Sequence, residues 1–299
     1  MTKPGAQTED GAEPAGSLLK RIHRAYDGLP GGERKVADAI LSAPHEMAVW
    51  SASELAAQAG VSNATVSRIV QRLGYRNFES ARLDARKLRE TGSPLFMTEE
   101  TEPGQEGRPF ARLIRAEADL IEATLARVDP GVLRDAAGAL GRARRVRVLG
   151  FRNSRFLADY LTAQLAQIRP DVAPLLLDGQ TAAEGVAGLG PEDVAVIVGL
   201  RRRPARFSRL VQAVAARGAR VLLVCDASLR GAPAHAAWTF TCAVETRTPR
   251  DSYAGALALM RLLATECAAA LGEAGLLHLN AVETLREDLD ELELSDPAS

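Results

Sequence analysis

The sequence predicts an all-α helix-turn-helix domain followed by an α/β domain on an open, doubly wound parallel sheet. Three observations carry that prediction. Residues 53–74 read SELAAQAGVSNATVSRIVQRLG, two short apolar-faced helices around a glycine. Beyond residue 108, short continuous apolar runs alternate with helical stretches, as parallel strands buried on both faces do. Between them, residues 91–107 (TGSPLFMTEETEPGQEG) hold two prolines, three glycines, four glutamates and no basic residue. That composition makes a solvated, self-repelling linker. A chain of 299 residues is long enough for two separate cores.

Residues 1–16 are polar, with Gly and Pro and little apolar content, and are expected to be disordered. Helical periodicity starts at Leu18 with Leu19, Ile22 and Tyr26. After Leu29-Pro30-Gly31-Gly32, a second helix carries Val36, Ile40 and Leu41. A short helix is expected after Pro44, ending near Trp50. The two helices of the motif follow, and Phe78 to Glu90 forms one more. The all-helical domain is thus placed at residues 17–91 and the linker at 92–107.

In the motif itself, Leu55, Ala56 and Ala59 share one face of the first helix. Gly60 stands where a tight turn needs a residue that tolerates positive φ. Ser62 is an N-cap, with Val66, Ile69, Val70 and Leu73 at helical spacing behind it. The opposite face carries Asn63, Thr65, Ser67, Arg68, Gln71 and Arg72. These side chains are of the size and polarity that reach base edges and phosphates in a major groove. An ordinary αα-hairpin also has a polar outside, but usually one laced with acid–base pairs. Here no acid lies between Val61 and Tyr75, and residues 61–90 hold seven basic residues against three acidic ones. That excess suits a polyanion.

The second domain is placed at 108–282. A long amphipathic helix (Phe110, Leu113, Ile114, Ala118, Ile121, Leu125) leads to another after Asp129-Pro130. Five runs then read as strands: Val146–Leu149, Val172–Leu177, Val194–Val198, Val221–Val224 and a weaker Trp238–Thr241. Pro174 demotes the second run to an edge strand or an irregular one. Apolar helices are expected over Ser252–Leu271 and Leu276–Leu294. The last 17 residues, 283–299, hold seven acids and one Arg, and read as a solvated tail.

Composition excludes several classes. Net charge is -1, so only the charge distribution is informative. No apolar run approaches 18 residues, and the N-terminus lacks an apolar core, so neither membrane span nor signal peptide is expected. Cys225, Cys242 and Cys267 are isolated in apolar settings, as buried thiols of a reducing cytoplasm are. His23, His45, His235 and His278 are also isolated. No metal, no cofactor and no catalytic cluster is expected.

The helical N-terminus with SELAAQAGVSNATVSRIVQRLGYRNF resembles the DNA-binding domain of RpiR-type bacterial transcriptional regulators. The second half resembles their SIS (sugar isomerase) domain. The resemblance covers residues 17–91 and 108–272. It implies a flavodoxin-like sheet that senses small molecules, and a sequence-specific DNA-binding regulator rather than an enzyme. In similar reading helices, the positions of Asn63, Ala64 and Arg68 face base edges, and those of Ser62, Thr65 and Ser67 hold phosphates. Arg68 suits a bidentate contact to guanine, and Ala64 a thymine methyl. A homodimer or homotetramer would place two reading helices on an inverted repeat of double-stranded DNA. Helices Phe110–Val128 and Ser252–Leu271 are the expected interface.

SIS domains that bind sugar phosphates carry a Gly-x-Gly-x-Ser loop after the first strand and a Ser-x-Ser-Gly-x-Thr loop after the third. Here the first loop is Gly150-Phe151-Arg152-Asn153-Ser154, with Arg152 in the second glycine's place. The third is Gly199-Leu200-Arg201-Arg202-Arg203-Pro204, without the hydroxyls. Seven arginines and no acid lie between Gly199 and Arg220. Gly150, Arg152, Asn153, Ser154, Gly199, Arg201, Arg202 and Arg203 are therefore the candidate site for a small anionic effector, a sugar phosphate or carboxylate. Pro204 is expected to open the helix behind them. The same arginines also fit a solvated patch, or pairing with the acidic tail or linker. Two other functions compete. One is an SIS-type isomerase or related enzyme using Glu184 and His235 as acid and base. The other is a DNA-binding protein whose SIS fold only dimerises.

Overall fold

The computed structural model describes residues 17–90, 109–246 and 250–291. The chain divides into two compact units, the first reaching residue 100 and the second starting at 101. Residues 1–16, the linker at 92–107 and the end of the acidic tail lie outside the described residues.

The first unit contains α1 (Leu18–Ala25), α2 (Gly31–Ser42), α3 (Ala52–Ala59), α4 (Asn63–Arg72) and α5 (Phe78–Glu90). Helices α3, α4 and α5 start at side chains that satisfy free N–H groups. Ser51 and Glu54 form a reciprocal capping box on α3, at 3.2 and 2.7 Å. Gly60 ends α3 with φ 63°, and Ser62 caps α4 through the Thr65 N–H. The segment expected as a short helix after Pro44 is a 3-10 turn, Glu46–Ala48. Three residues are too few for an α-helical ladder, and Met47 serves mainly to plug the core. That core joins Leu18, Ile22, Val36, Ile40, Met47, Leu55, Val66 and Ile69, all essentially inaccessible to solvent.

The second unit opens with α6 (Pro109–Leu125) and α7 (Pro130–Arg142). Asp129 caps α7 by accepting the N–H groups of Gly131 and Val132 at 2.7 and 2.9 Å. Next come β1 (Val146–Gly150), α8 (Ser154–Ala166), β2 (Val172–Pro174), α9 (Ala182–Ala187), β3 (Val194–Gly199), α10 (Phe207–Ala216), β4 (Arg220–Asp226) and β5 (Trp238–Cys242). Helices α11 (Ala254–Leu271) and α12 (Glu273–Asp288) follow. The five strands are parallel in the order β2-β1-β3-β4-β5. Alternate residues feed opposite layers. Val194, Val196 and Val198 of β3 pack under α7, α8 and α11. Ala195 and Ile197 face the α10 side with Phe207 and Val211.

Three expectations need correction here. The strand from Val172 stops at Pro174, an edge position where the missing N–H costs no ladder bond. The helix after β3 begins at Phe207, because the chain first makes a tight turn: Arg201 has φ 51°, and Arg203 N–H donates to the Arg201 carbonyl. Helix α12 runs Glu273–Asp288, starting before and ending before the expected Leu276–Leu294. In addition, Ala254–Leu271 is long and apolar enough to cross a membrane, with mean hydropathy 1.5. It carries Arg261 and Glu266, however, and buries Leu259, Met260, Leu263 and Cys267 in the sheet's own core.

Candidate functional site

The outward face of α4 is built from its cap. Ser62, Asn63, Ala64, Ser67, Arg68 and Gln71 are all exposed, and the first turn holds no acid. The N-terminal N–H groups therefore present positive potential unopposed. Asn63 is braced by Ser53 of α3, its Nδ2 donating to Oγ at 3.1 Å. Two members of the expected set are engaged within the unit. Thr65 is 7% exposed, and its hydroxyl serves Ser62 and Arg68. Arg72 is spent on Glu33 of α2, at 2.6 Å, on a carboxylate that is almost wholly buried.

The far end of α4 is clamped. Arg21 of α1 donates to the carbonyls of Leu73 and Gly74 at 3.2 and 3.3 Å, and its guanidinium stacks 4.2 Å from the Tyr75 ring. Tyr75 donates to Asp84 at 2.6 Å, and Asp84 also accepts the Leu18 N–H at 2.8 Å. Asn77 caps α5 through the Ser80 N–H. The LGYRNF stretch thus anchors α4. Of the flanking arginines, Arg82 pairs with Glu79 and Arg86 donates to the Ala48 carbonyl, whereas Arg76 is exposed.

In the second unit, β1 has β2 on one side and β3 on the other, so chain order reverses between β1 and β3. Ligands of open α/β sheets bind beside such a reversal, at the carboxyl ends of the strands. The two candidate loops meet there. Ser154 Oγ accepts the Leu200 N–H at 3.2 Å. A Cβ on Gly150 would lie 2.1 Å from the Ser154 carbonyl oxygen, and one on Gly199 2.1 Å from the Phe207 ring. Both glycines are required by close approach.

The arginines do not act alike. Arg201 is buried, with Nη1 2.5 Å from Glu245 and Nε 3.2 Å from Asp251. Its N–H donates to Asp226 at 2.5 Å. Arg203 pairs with Asp226 and donates to Ser228 at 2.8 Å. Neither the linker nor the tail supplies these acids. Burial pushes the Asp226 carboxyl up, but hydrogen bonds from Ser228 and Arg201, with the Arg203 charge, outweigh it and hold it below the usual range. At Asp251, burial wins over Arg201 and the carboxyl is raised. Arg152 and Arg202 are exposed and make no side-chain ion pair or hydrogen bond among the described residues. Burial pushes the Tyr253 phenol up, and the nearby Asn153 side chain pulls it the other way. Sequence reasoning missed Glu33, Asp226, Glu245 and Asp251, since a partner tens of residues away leaves no local signal.

Glu184 and His235 do not converge on acid–base chemistry. Glu184 is the exposed capping-box acid of α9, held below its ordinary range by the Thr181 N–H and hydroxyl. His235 is exposed at the end of a 3-10 turn, Ala232–His235.

The fold and these sites define a helix-turn-helix unit joined to an SIS-type α/β unit. The helix-turn-helix domain of the rpiR family matches residues 16–87, and the SIS domain matches residues 139–266. The chain thus carries a helix-turn-helix domain like that of the rpiR family, followed by an SIS domain. A Haemophilus influenzae protein named as an uncharacterized HTH-type transcriptional regulator is 26% identical over 158 residues, 52% of this chain and 55% of that one. The Escherichia coli HTH-type transcriptional regulator YfhH is 38% identical over 65 residues, 22% and 23% of the two chains. The chain thus spans about half the length of the first relative and about a quarter of the second. In solved structures, the sugar isomerase domain of an RpiR transcription factor from Sphaerobacter thermophilus aligns at TM-score 0.55 and 23% identity, over 59% of this chain and 99% of that one. Vibrio vulnificus NanR, in complex with ManNAc-6P, aligns at TM-score 0.55 and 18% identity, over 93% and 100%. At these identities the likeness is one of fold.

Proposed function

We propose that the protein is a cytoplasmic, sequence-specific DNA-binding transcriptional regulator, controlled by a small anionic metabolite in its SIS unit. The observation that carries this reading is the acid-free face of α4, where Asn63, Ala64, Ser67, Arg68 and Gln71 stand exposed around a capped helix N-terminus. The relatives named as regulators support it. So do the free, buried cysteines, whose thiols burial pushes up to about 11 (Cys225), about 12 (Cys242) and about 11 (Cys267). The enzyme reading loses ground because Glu184 is a helix cap and His235 a surface residue.

For the effector, Arg152 and Arg202 are the free cations at the β1/β3 reversal, and a sugar phosphate or carboxylate matches them. The bound ManNAc-6P of NanR is in keeping with that class. Arg201 and Arg203 serve instead as internal partners of Glu245, Asp251 and Asp226. Dimerisation fits α6, whose Phe110, Leu113 and Ile114 stand 79%, 58% and 69% exposed on one stripe. Helix α11, the other expected interface, spends most of its apolar residues inside its own unit. Effector binding alters DNA affinity only through different affinities for two arrangements of the dimer.

The test is selection of bound genomic fragments by the purified protein at fixed salt, with Arg68→Ala in parallel. A palindromic motif that the variant relaxes supports the reading. Weak, salt-sensitive binding that is identical in both proteins refutes it.

A further inference from the structure

We infer that Thr65 is a positioning residue for base readout: its buried hydroxyl locks Arg68 in the reading orientation and aims the Ser62 hydroxyl outward. This rests on the DNA-reading proposal above and concerns the same face.

Thr65 lies on the inner side of α4, where a phosphate contact is closed to it. Its methyl packs toward the start of α2, with Cγ2 3.4 Å from the place a Cβ would take on Gly32. A β-branched side chain in a helix has few χ1 choices, and the one observed turns the methyl toward Gly32. The hydroxyl is thereby pointed at two neighbours. Arg68 Nη2 donates to Thr65 Oγ1 at 3.0 Å, and Oγ1 lies 3.1 Å from Ser62 Oγ.

Donor chemistry sets the first link of the chain, and the proposal assigns the second. A guanidinium only donates, so Thr65 Oγ1 accepts from Arg68. Ser62 Oγ already accepts the Thr65 N–H, at 3.4 Å. With the Thr65 hydroxyl also donating to Ser62 Oγ, every buried donor on Thr65 is satisfied. The Ser62 proton is then left for an acceptor outside, on an exposed residue at a helix N-terminus where a phosphate oxygen is favoured. The Arg68 guanidinium, tethered through one Nη, keeps its other N–H groups free in a fixed plane. A bidentate contact to a base edge needs that arrangement, and pre-organisation spares the entropy of ordering a long side chain on binding.

The experiment is the same fragment selection, run with wild type, Thr65→Val, Thr65→Ser, Arg68→Ala and Thr65→Val/Arg68→Ala, with thermal unfolding of each protein. Val keeps the methyl contact and loses the hydroxyl; Ser keeps the hydroxyl. Base preference should fall roughly tenfold in Thr65→Val at the position that Arg68→Ala relaxes. Thr65→Ser should restore it, and the double variant should relax no further than Arg68→Ala alone. A Thr65→Val protein with wild-type preference, or a loss that adds fully to that of Arg68→Ala, overturns the inference while leaving the regulator reading intact. A wild-type protein that selects no motif overturns the regulator reading, and this inference with it. Should Thr65→Val fail to fold, Ser62→Gly removes the other hydroxyl at little cost to the cap. Its expected result is the same shift at that base position, and an unchanged preference counts against the relay.

Discussion

Arg72 at the end of α4 and Glu33 in the first turn of α2 are joined at 2.6 Å, across 39 residues of sequence. The carboxylate is buried and the guanidinium half-exposed, so the pair is a structural tie, with Glu33 the costly member to orphan. Arg72→Ala is expected to lower the melting temperature of the first unit by several degrees. It should leave base preference where Arg68→Ala changes it. Thermal unfolding beside fragment selection separates the two effects, and a lost motif in Arg72→Ala would return Arg72 to the reading set.

Arg68→Ala is expected to cost about 1–3 kcal/mol of discrimination at one base position. Arg76 is exposed and lies beyond the reading helix. Its alanine variant should weaken binding evenly across sequences and reduce the salt slope by about 1. Titrations of one selected site and its single-base variants, at several salt concentrations, check both.

Gly150→Ala should destabilise the SIS unit by an amount at or above the upper end of about 1–3 kcal/mol, the usual range for overpacking. The clash is with backbone, at the Ser154 carbonyl, so no side chain can rotate out of the way. Urea unfolding measures it. A near-neutral result would mean that the turn into α8 opens easily.

Asp193 and Asp226 set the acid limit of the SIS unit. Asp193 is buried against Arg144 and Arg145, at 3.1 and 2.9 Å. Burial alone would raise its pKa, yet Arg145, the Gly190 N–H and Arg144 bring it below the ordinary range, as the donors around Asp226 do there. A carboxyl depressed in the folded state gives stability that is present above the unfolded pKa, about 3.9. That stability is lost as pH falls through the lower folded value. Asp251 is raised and runs the other way, relieving a cost as it protonates. Denaturant titrations should therefore show stability declining below about pH 4, and less steeply in Asp193→Asn. An unchanged decline would assign the acid limit to other groups.

Arg152→Ala and Arg202→Ala should each reduce the protein's affinity for phosphate or a sugar phosphate while leaving folding intact, since neither side chain has an internal partner among the described residues. Calorimetric titration reads the affinity. Equal binding in wild type and both variants would remove the anionic-effector proposal.

What was legible in the sequence is what is local. Gly60, Ser62 and Asp129 reveal helix ends because a cap is satisfied within a few residues. The central strands β3 and β4 are continuous apolar runs because both sheet faces are covered there, and Pro174 marks the edge by its missing donor. The arginine loop was legible as composition but not as geometry. Arg201 is committed to Glu245 and Asp251, and Arg203 to Asp226, by a fold that brings together the ends of β3, β4 and β5. No spacing rule tells which of three successive arginines turns inward. The delayed start of α10 escaped for a related reason: Pro204 permits a helix start but does not compel one.

The backbone at Arg152 has φ 55°, a left-handed conformation that costs a side-chain-bearing residue roughly 1–2 kcal/mol. A glycine there would relieve the strain, and no internal contact of the Arg152 side chain among the described residues would be lost. Variants chosen for heat resistance alone should therefore converge on glycine at this position and, on the proposed effector reading, become deaf to the metabolite as they do. On that reading, durability and responsiveness make opposite demands on one side chain at residue 152.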